Sequence, residues 1–346
     1  QVRALHMRYW SAMVVRLKVM AGMNIAETRA PQDGRISLTI SGRQVDFRSA
    51  VQPTIHGENF VLRILDRKRG IVPLDGLGLS DDQYNTMQLM LSRPEGIMLV
   101  TGPTGSGKTT TLYSILGHLN TEGVNIMTLE DPVEYPMPVI RQTSLSDAVK
   151  MDFAEGIRSM MRQDPDIILV GEVRDHDTAE MAFRAAMTGH QVFSTLHTNS
   201  AIRSIPRLVD LGIKPEVLAG NVIGIVAQRL LRSLCKACKV PHEPSAIELQ
   251  LLGLAPGEPH SVYRPVGCPA CENLGYKGRI SILELLKFDA ALDELITQRA
   301  SLKLMLDYVR QQGFVSMAED GLRRVKEGVT TVEEVGRVVD LTELIH

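Results

Sequence analysis

Between an apolar run, Gly96-Ile-Met-Leu-Val-Thr101, and a helical run from Thr110 to Leu119 stands the segment Gly102-Pro103-Thr104-Gly105-Ser106-Gly107-Lys108-Thr109. The first run reads as a buried strand, so the chain must deliver a glycine-rich loop from a strand end to a helix N-terminus. Each residue type there meets a separate demand of a polyphosphate. The glycines expose backbone N–H groups, and these, with the positive end of the helix and the following Thr110, hold phosphate oxygens. Lys108 reaches the outer phosphates and Thr109 offers a hydroxyl to Mg²⁺, so the segment predicts a Mg·ATP site. A glycine turn without function is the alternative, and the strand–loop–helix context argues against it.

Around the loop, strands and helices alternate. Asn125-Ile-Met-Thr-Leu129, Ile167-Ile-Leu-Val170 and Gln191-Val-Phe-Ser-Thr-Leu196 are further short apolar strands, with helical stretches near 153–162 and 178–187. This alternation predicts an α/β fold with a largely parallel sheet. Ser80 caps a helix ending before Pro94, and capping-box spacing occurs at Asp177-Thr-Ala-Glu180 and Thr331-Val-Glu-Glu334. Upstream, an apolar face through Val14, Val15, Leu17, Val19 and Met20 predicts a helix over about 9–23. Ile36–Ile40 and Val45–Ser49 predict a hairpin, and Asn59–Leu65 a third strand. The division expected is a small α/β domain over 1–69, a linker over 70–79 and an ATPase domain over 80–346. The last contains a cysteine-bearing insert at 232–275 and C-terminal helices at 290–346.

Carboxylates and a histidine follow three of the strands. Glu130, in Leu129-Glu-Asp-Pro132, stands at the sheet edge that would also hold nucleotide, within reach of Mg²⁺ waters; a solvated acidic turn is the alternative. Asp164-Pro-Asp-Ile-Ile-Leu-Val-Gly-Glu172 has the form of a Walker B segment, which makes Glu172 the candidate general base. Pairing with Arg174 is its structural alternative. His197, followed by Thr198, Asn199 and Ser200, suits a sensor of the γ-phosphate, whereas His190 at a strand start reads as structural.

The four cysteines form two Cys-x-x-Cys pairs, Cys235/Cys238 and Cys268/Cys271, able to close a tetrahedral Cys₄ zinc site. The 29 residues between the pairs exceed the usual ribbon spacing, yet loop-closure cost rises only logarithmically with length. Unligated thiols and a redox pair are the competing readings. A closed site leaves no open coordination position, so this metal would be structural.

Apolar residues make up 44% and charged residues 23% of 346, which excludes disorder. A formal net charge of −2 gives no electrostatic case for nucleic acid, and no apolar run is long enough to span a bilayer. The start at Gln1, with no signal-peptide regions, reads as that of a fragment of a longer protein.

In this order, the phosphate loop, the Leu-Glu-Asp-Pro segment, the Asp-Pro-Asp…Gly-Glu-Val-Arg-Asp segment and Thr-Leu-His-Thr-Asn resemble the secretion ATPase family of type II secretion and type IV pilus assembly. Pro31-Gln-Asp-Gly-Arg35, Pro53-Thr-Ile-His-Gly-Glu58, Val61–Leu65 and Ser316–Gly321 extend the resemblance over nearly the whole chain. It implies a homo-hexamer of two-part subunits, each a small N-terminal domain and a RecA-like ATPase domain. The ring would sit in the cytoplasm on the inner face of the inner membrane, peripherally attached. It implies a platform protein and a membrane-docking partner, and roles for Glu130, Glu172 and His197 that agree with the chemistry above. Retraction ATPases of the family lack the paired cysteine insert, so the resemblance implies a motor that pushes subunits outward. The family's first strands are absent here, which makes the small domain look N-terminally truncated. Arg-Ser-Ala-Val at 48–51 also departs from the more usual Arg-Val-Ser. Arg35, Arg48 and Arg63 on the strands of the small domain exceed what packing requires. They are candidates to neutralise transition-state charge, with local pairs to Asp33, Asp46 and Glu58 as the alternative. Two other functions compete: a RecA-like DNA-translocating motor, and a nucleotide-gated scaffold without turnover.

Overall fold

A computed structural model describes residues 6–66, 72–145, 151–255, 257–258 and 260–344. The chain divides into two compact units, Gln1–Ile71 and Val72–His346. In the first, helix α1 (Trp10–Met20) precedes an antiparallel meander of β1 (Gln32–Ile40), β2 (Arg43–Thr54) and β3 (Gly57–Asp66). The strands are longer than their alternating cores suggest, because main-chain pairing continues into the polar flanks from Gln32↔Val51 to Ile40↔Arg43. Ile36 and Val51 share one face with Ala21 and Met23 closed over them. Gly34 permits that closure, since a Cβ there would lie 2.4 Å from the Ala21 carbonyl oxygen.

The inward face of α1 differs from the one its apolar spacing predicts. Val14 is buried and Leu17 and Met20 are half-buried, but Val15 and Val19 are exposed while Lys18 is buried. The cause is a charge pair. Lys18 contacts the Glu58 carboxylate and donates to the Glu27 carbonyl at 2.7 Å, which lets an ammonium take a core-facing position.

The second unit has three layers around a seven-stranded sheet. Its strands are β4 (Gly96–Thr101), β5 (Ile126–Glu130), β6 (Arg141–Ser144), β7 (Ile167–Val170), β8 (Gln191–Leu196) and β9 (Val222–Leu234). A short separate pair, β10 (Val240–Pro241) and β11 (Tyr263–Arg264), intervenes before the last sheet strand, β12 (Tyr276–Lys287). The order is β12-β9-β4-β8-β7-β5-β6; β12 runs antiparallel to β9 and every other pair is parallel. Strands β4 and β8 are buried at every position, as parallel strands covered on both faces must be.

Alternate residues of β4 enter opposite cores. Met98 and Val100 pack with α2 (Asp81–Leu91) and α3 (Lys108–Leu119). Ile97 and Leu99 face the other core, built largely from α4 (Phe153–Met160), α5 (His176–Met187) and α6 (Ser204–Asp210). The short helices α7 (Pro215–Leu218) and α8 (Ala246–Leu252) and the C-terminal α9 (Ala290–Thr297), α10 (Leu302–Gln311), α11 (Met317–Lys326) and α12 (Val332–Gly336) add to that side.

Three local expectations are corrected. Leu74 and Leu77, within the segment read as linker, are buried in the α2–α3 core, because their spacing on a 3-10 turn presents both to it. The N-cap of α5 is Asp175 rather than Asp177, its carboxylate accepting from Thr178 N–H at 2.8 Å; the helix begins at His176. At α12, Thr331 caps Glu334 N–H, but the Glu334 carboxylate does not return to the cap. It instead receives Nε and Nη2 of Arg232 at 3.0 and 2.6 Å.

Burial alone would raise the Glu334 carboxyl pKa, but the Arg232 hydrogen bonds and charge, with Arg337, outweigh it and hold the pKa below the ordinary value. A depressed carboxyl contributes its stability above the unfolded-state glutamate range and loses it as pH falls through the folded value. Glu334→Ala is expected to cost about 2–3 kcal/mol, below the 3–5 of a fully buried pair because Arg232 keeps solvent contact. Urea unfolding at neutral pH should show this loss, and the gap to the parent should narrow in acid. An equal gap at both pH values would refute the assignment.

Candidate functional site

Because β4, β8, β7 and β5 are adjacent and parallel, their C-terminal ends line one edge of the sheet. The loop 102–107 leaves β4 there, Glu130 ends β5, Glu172 stands two residues past β7, and His197 follows β8. Thr109, Glu130, Glu172 and Thr195 line one small cleft of about 90 Å³. Four segments far apart in sequence thus meet at one place.

The loop needs its glycines. Gly102, Gly105 and Gly107 have φ of 149°, 80° and 93°, a region open to residues without a Cβ. A Cβ on Gly102 would also lie 2.6 Å from the Gln228 carbonyl oxygen. Pro103, Thr104 and Gly105 are exposed at the tip, while Thr109 and Thr110 are half-buried on the first turn of α3. Lys108 folds back on the loop, Nζ donating to the carbonyls of Gly102 at 2.8 Å and Pro103 at 3.2 Å. Burial lowers its pKa, the Glu172 carboxylate opposes that, and the Arg229 charge adds to the fall. Ser106 Oγ is buried with no hydrogen-bond partner among the described residues. An array of backbone donors, one ammonium and free hydroxyls fits an anion with several oxygens.

Glu130 is buried and hydrogen-bonded at both carboxylate oxygens. Oε2 accepts from Tyr113 Oη at 2.5 Å; Oε1 accepts from Thr128 Oγ1 at 2.7 Å and from Gln142 Nε2 at 3.3 Å. Burial pushes its pKa up and these donors oppose the rise. Burial, with the nearby Glu130 charge, likewise raises the Tyr113 phenol, so Tyr113 stays a donor. Glu172 is mostly buried and meets two partners. It contacts the exposed Arg174 guanidinium, and its Oε2 lies 3.4 Å from His197 Nε2. The Arg174 pair and the contact with His197 therefore coexist. His190 is structural, its Nδ1 lying 2.9 Å from the Ala185 carbonyl oxygen at the end of α5.

The three arginines belong to the other unit, where β-sheet register sets them in one row: Arg35 opposite Arg48, and Arg48 opposite Arg63. They share the sheet face away from Ile36 and Val51. Glu58 alternates onto the Ile36 face and contacts Lys18, so of the expected local acids it is committed elsewhere. Asp46 shares the arginine face and accepts from Ser37 Oγ at 2.7 Å.

The cysteines converge. All four sulfurs lie within 4.8 Å of one another, with Cys235–Cys268 at 3.9 Å and Cys238–Cys271 and Cys268–Cys271 at 3.8 Å. Sulfurs about 2.3 Å from a common tetrahedral centre stand about 3.8 Å apart, so the donor set fits zinc. Cys271 Sγ also accepts from the N–H groups of Cys268 and Gly275, at 3.2 and 3.3 Å.

Residues that sequence reasoning missed complete the site. Tyr113 orients Glu130. Gln228 on β9 touches the loop, and Arg229 donates to the carbonyls of Gln228 at 3.0 Å and Asn199 at 3.1 Å. Glu284 on β12 accepts from Ala201 N–H at 2.5 Å and from Met317 N–H at 3.1 Å. For Gln228, Arg229 and Glu284 the available signal was polar residues inside otherwise apolar strand runs.

Fold and loop together define the phosphate-loop α/β class. The family described as Type II/IV secretion system protein matches residues 1–337, and the chain belongs to it. It is 51% identical over 326 residues to the type II secretion system protein E of Pseudomonas aeruginosa, covering 94% of this chain and 65% of that protein. To the type IV pilus assembly ATPase PilB of the same organism it is 45% identical over 331 residues, covering 95% and 58% respectively. The chain thus spans about two thirds or less of these relatives' length. Among solved structures it resembles the pilus retraction motor PilT with bound ADP, at 31% identity and a TM-score of 0.66, covering 90% of this chain and 78% of that one.

Proposed function

We propose that this chain is the motor portion of a secretion or pilus-assembly ATPase, with a RecA-like core that binds Mg·ATP and hydrolyses it to ADP and phosphate. The observation that carries the reading is the convergence of the phosphate loop, Glu130, Glu172 and His197 on one sheet edge. Lys108 exchanges its loop carbonyls for phosphate oxygens, and Thr109, with Glu130 acting through water, would hold Mg²⁺, which would supply charge neutralisation. Glu172 accepts the proton of the attacking water as the new P–O bond forms and the bond to the bridging oxygen breaks. His197, against Glu172, senses the γ-phosphate. The setting is type II secretion or type IV pilus assembly, the two roles printed in the names of the relatives. The acting form is a homo-hexamer on the cytoplasmic face of the inner membrane, engaged with a platform protein and a docking partner. Nucleic acid is not a partner, in keeping with a net charge of −2.

The division of labour has a direct test. Lys108→Ala is expected to abolish tight binding of a fluorescent ATP analogue, whereas Glu172→Gln keeps binding and loses at least about a hundredfold in phosphate release. Equal loss of binding in both variants would sink the assignment.

The arginine row supports a charge-neutralising role. Three arginines in register concentrate positive charge on one sheet face, alongside whatever pairing Asp46 on that face provides, and such a face suits an anionic partner. Transition states of phosphoryl transfer gather charge that one lysine and Mg²⁺ leave partly uncompensated. Arg48→Ala and Arg63→Ala are expected to bind ATP nearly normally and lose most hydrolysis, with Arg35 the third candidate. Mixing Arg48→Ala with Glu172→Gln subunits should restore turnover if Arg48 acts across a subunit boundary. With intact rings, no recovery at any ratio contradicts that.

The cysteine cluster is a structural zinc site. The purified chain should carry about one zinc per chain by metal analysis, and Cys235→Ser should lower both zinc content and thermal midpoint. Full zinc content in Cys235→Ser and in Cys268→Ser would rule it out.

A further inference from the structure

Gln228 on β9 is buried where strand and phosphate loop touch, and it meets both ends of the loop. Its carbonyl oxygen packs against Gly102, where a Cβ would lie 2.6 Å away. Its side chain crosses to the far end, Nε2 donating to the Ser106 carbonyl at 2.6 Å and Oε1 accepting from Thr111 Oγ1 at 2.8 Å on the first turn of α3. A Cβ on Gly107 would sit 2.9 Å from the same Nε2. Arg229 Nη1, donating to the Gln228 carbonyl at 3.0 Å, fixes the main chain that carries this side chain.

One peptide plane links Ser106 and Gly107, and in a trans peptide the C=O and the N–H point in opposite directions. Gripping the Ser106 carbonyl from outside the loop therefore turns the Gly107 N–H inward, where an anion would sit. Both groups in the grip are neutral, so the device adds no charge to the site. It sets the aim of a backbone donor and ties that aim to the start of α3.

We propose that Gln228 is a positioning residue for polyphosphate binding, holding the Ser106–Gly107 peptide with its N–H directed at the phosphates. This rests on the phosphate-loop reading and adds to it a residue that lies 120 positions beyond the loop's own lysine. A glutamine that merely filled space between strand and loop would be replaceable by any side chain of equal length.

The test uses the full chain with two probes, a fluorescent ADP analogue and inorganic pyrophosphate as its competitor. Q228M keeps length and volume without the hydrogen bonds. It is expected to weaken both probes by the same factor, about tenfold, the worth of one well-placed hydrogen bond. Q228E still accepts from Thr111 but turns a carboxylate oxygen to the Ser106 carbonyl, so it should lose more. A role confined to packing would shift the nucleotide-free melting midpoint and leave pyrophosphate affinity alone. Binding of both probes by folded Q228M within twofold of the parent overturns the proposal. Should Q228M not fold, T111V decides: it releases one arm of the grip and is expected to lose about threefold for both probes, and no loss overturns the proposal. Lys108→Ala separates the two layers. If it retains pyrophosphate binding, the phosphate-loop reading itself fails; if it loses binding while Q228M does not, only the role of Gln228 fails.

Discussion

The parallel pairing of β4 with β8 on one side and β9 on the other is the constraint on which the site depends. Side chains alternate along β4 between two cores, Ile97 and Leu99 to one and Met98 and Val100 to the other. A slip of one residue would exchange them and shift the phosphate loop by about 3.3 Å relative to the ends of β5 and β7. Hydrophobic register and the geometry of the proposed site are therefore the same specification. Thr101, the last residue of β4, reinforces it: its Oγ1 accepts from Thr198 N–H at 2.8 Å, tying the loop's origin to the segment that carries His197.

What was legible in the sequence was what is local. The loop's residues act through their own backbone and spacing. Glu130, Glu172 and His197 each follow a short apolar strand, and parallel strands place such positions at a common edge. Gln228 and Arg229 were not legible because their partners lie up to 122 residues away, and β9 reads simply as an apolar strand that turns polar. Helix α1 shows the opposite failure. Its apolar spacing was readable but misled, since Lys18, held by the Glu58 carboxylate and the Glu27 carbonyl, takes a core-facing position while Val15 and Val19 are exposed. The arginine row was legible only as three separate arginines, because cross-strand register is a property of the folded sheet.

Ionisable groups of both signs, shifted by burial, stand at and behind the proposed nucleotide site. Lys108 and Arg229 are cations lowered in pKa by burial; Glu130 and Glu284 are carboxyls raised by it. Each is stabilised by hydrogen bonds to fixed groups: Glu284 by the N–H groups of Ala201 and Met317, Arg229 by two carbonyls. Buried charges so held have few other arrangements available, and a new anion in the loop changes the field on all of them. Glu284 matters most here, because one carboxylate joins the segment after His197 to the start of α11.

The cysteine lobe belongs to the same frame but stands apart from the chemistry. Strand β9 runs unbroken from Val222 to Leu234, and Cys235 lies seven residues beyond Gln228, about 23 Å along an extended strand. At that distance a metal cannot polarise a phosphate, so any effect on turnover must pass through the strand as a rigid body. The lobe's base is also held without metal. Leu234 N–H donates to the Val329 carbonyl at 2.8 Å, Cys235 N–H to Gly275 at 2.9 Å, and Lys239 Nζ to Gly328 at 2.7 Å. Gly328 allows this closeness, since a Cβ would lie 2.7 Å from the Tyr263 ring. A bound metal would therefore fix the two knuckles against each other and give the lobe its shape, while the sheet and the α11–α12 turn set where it stands.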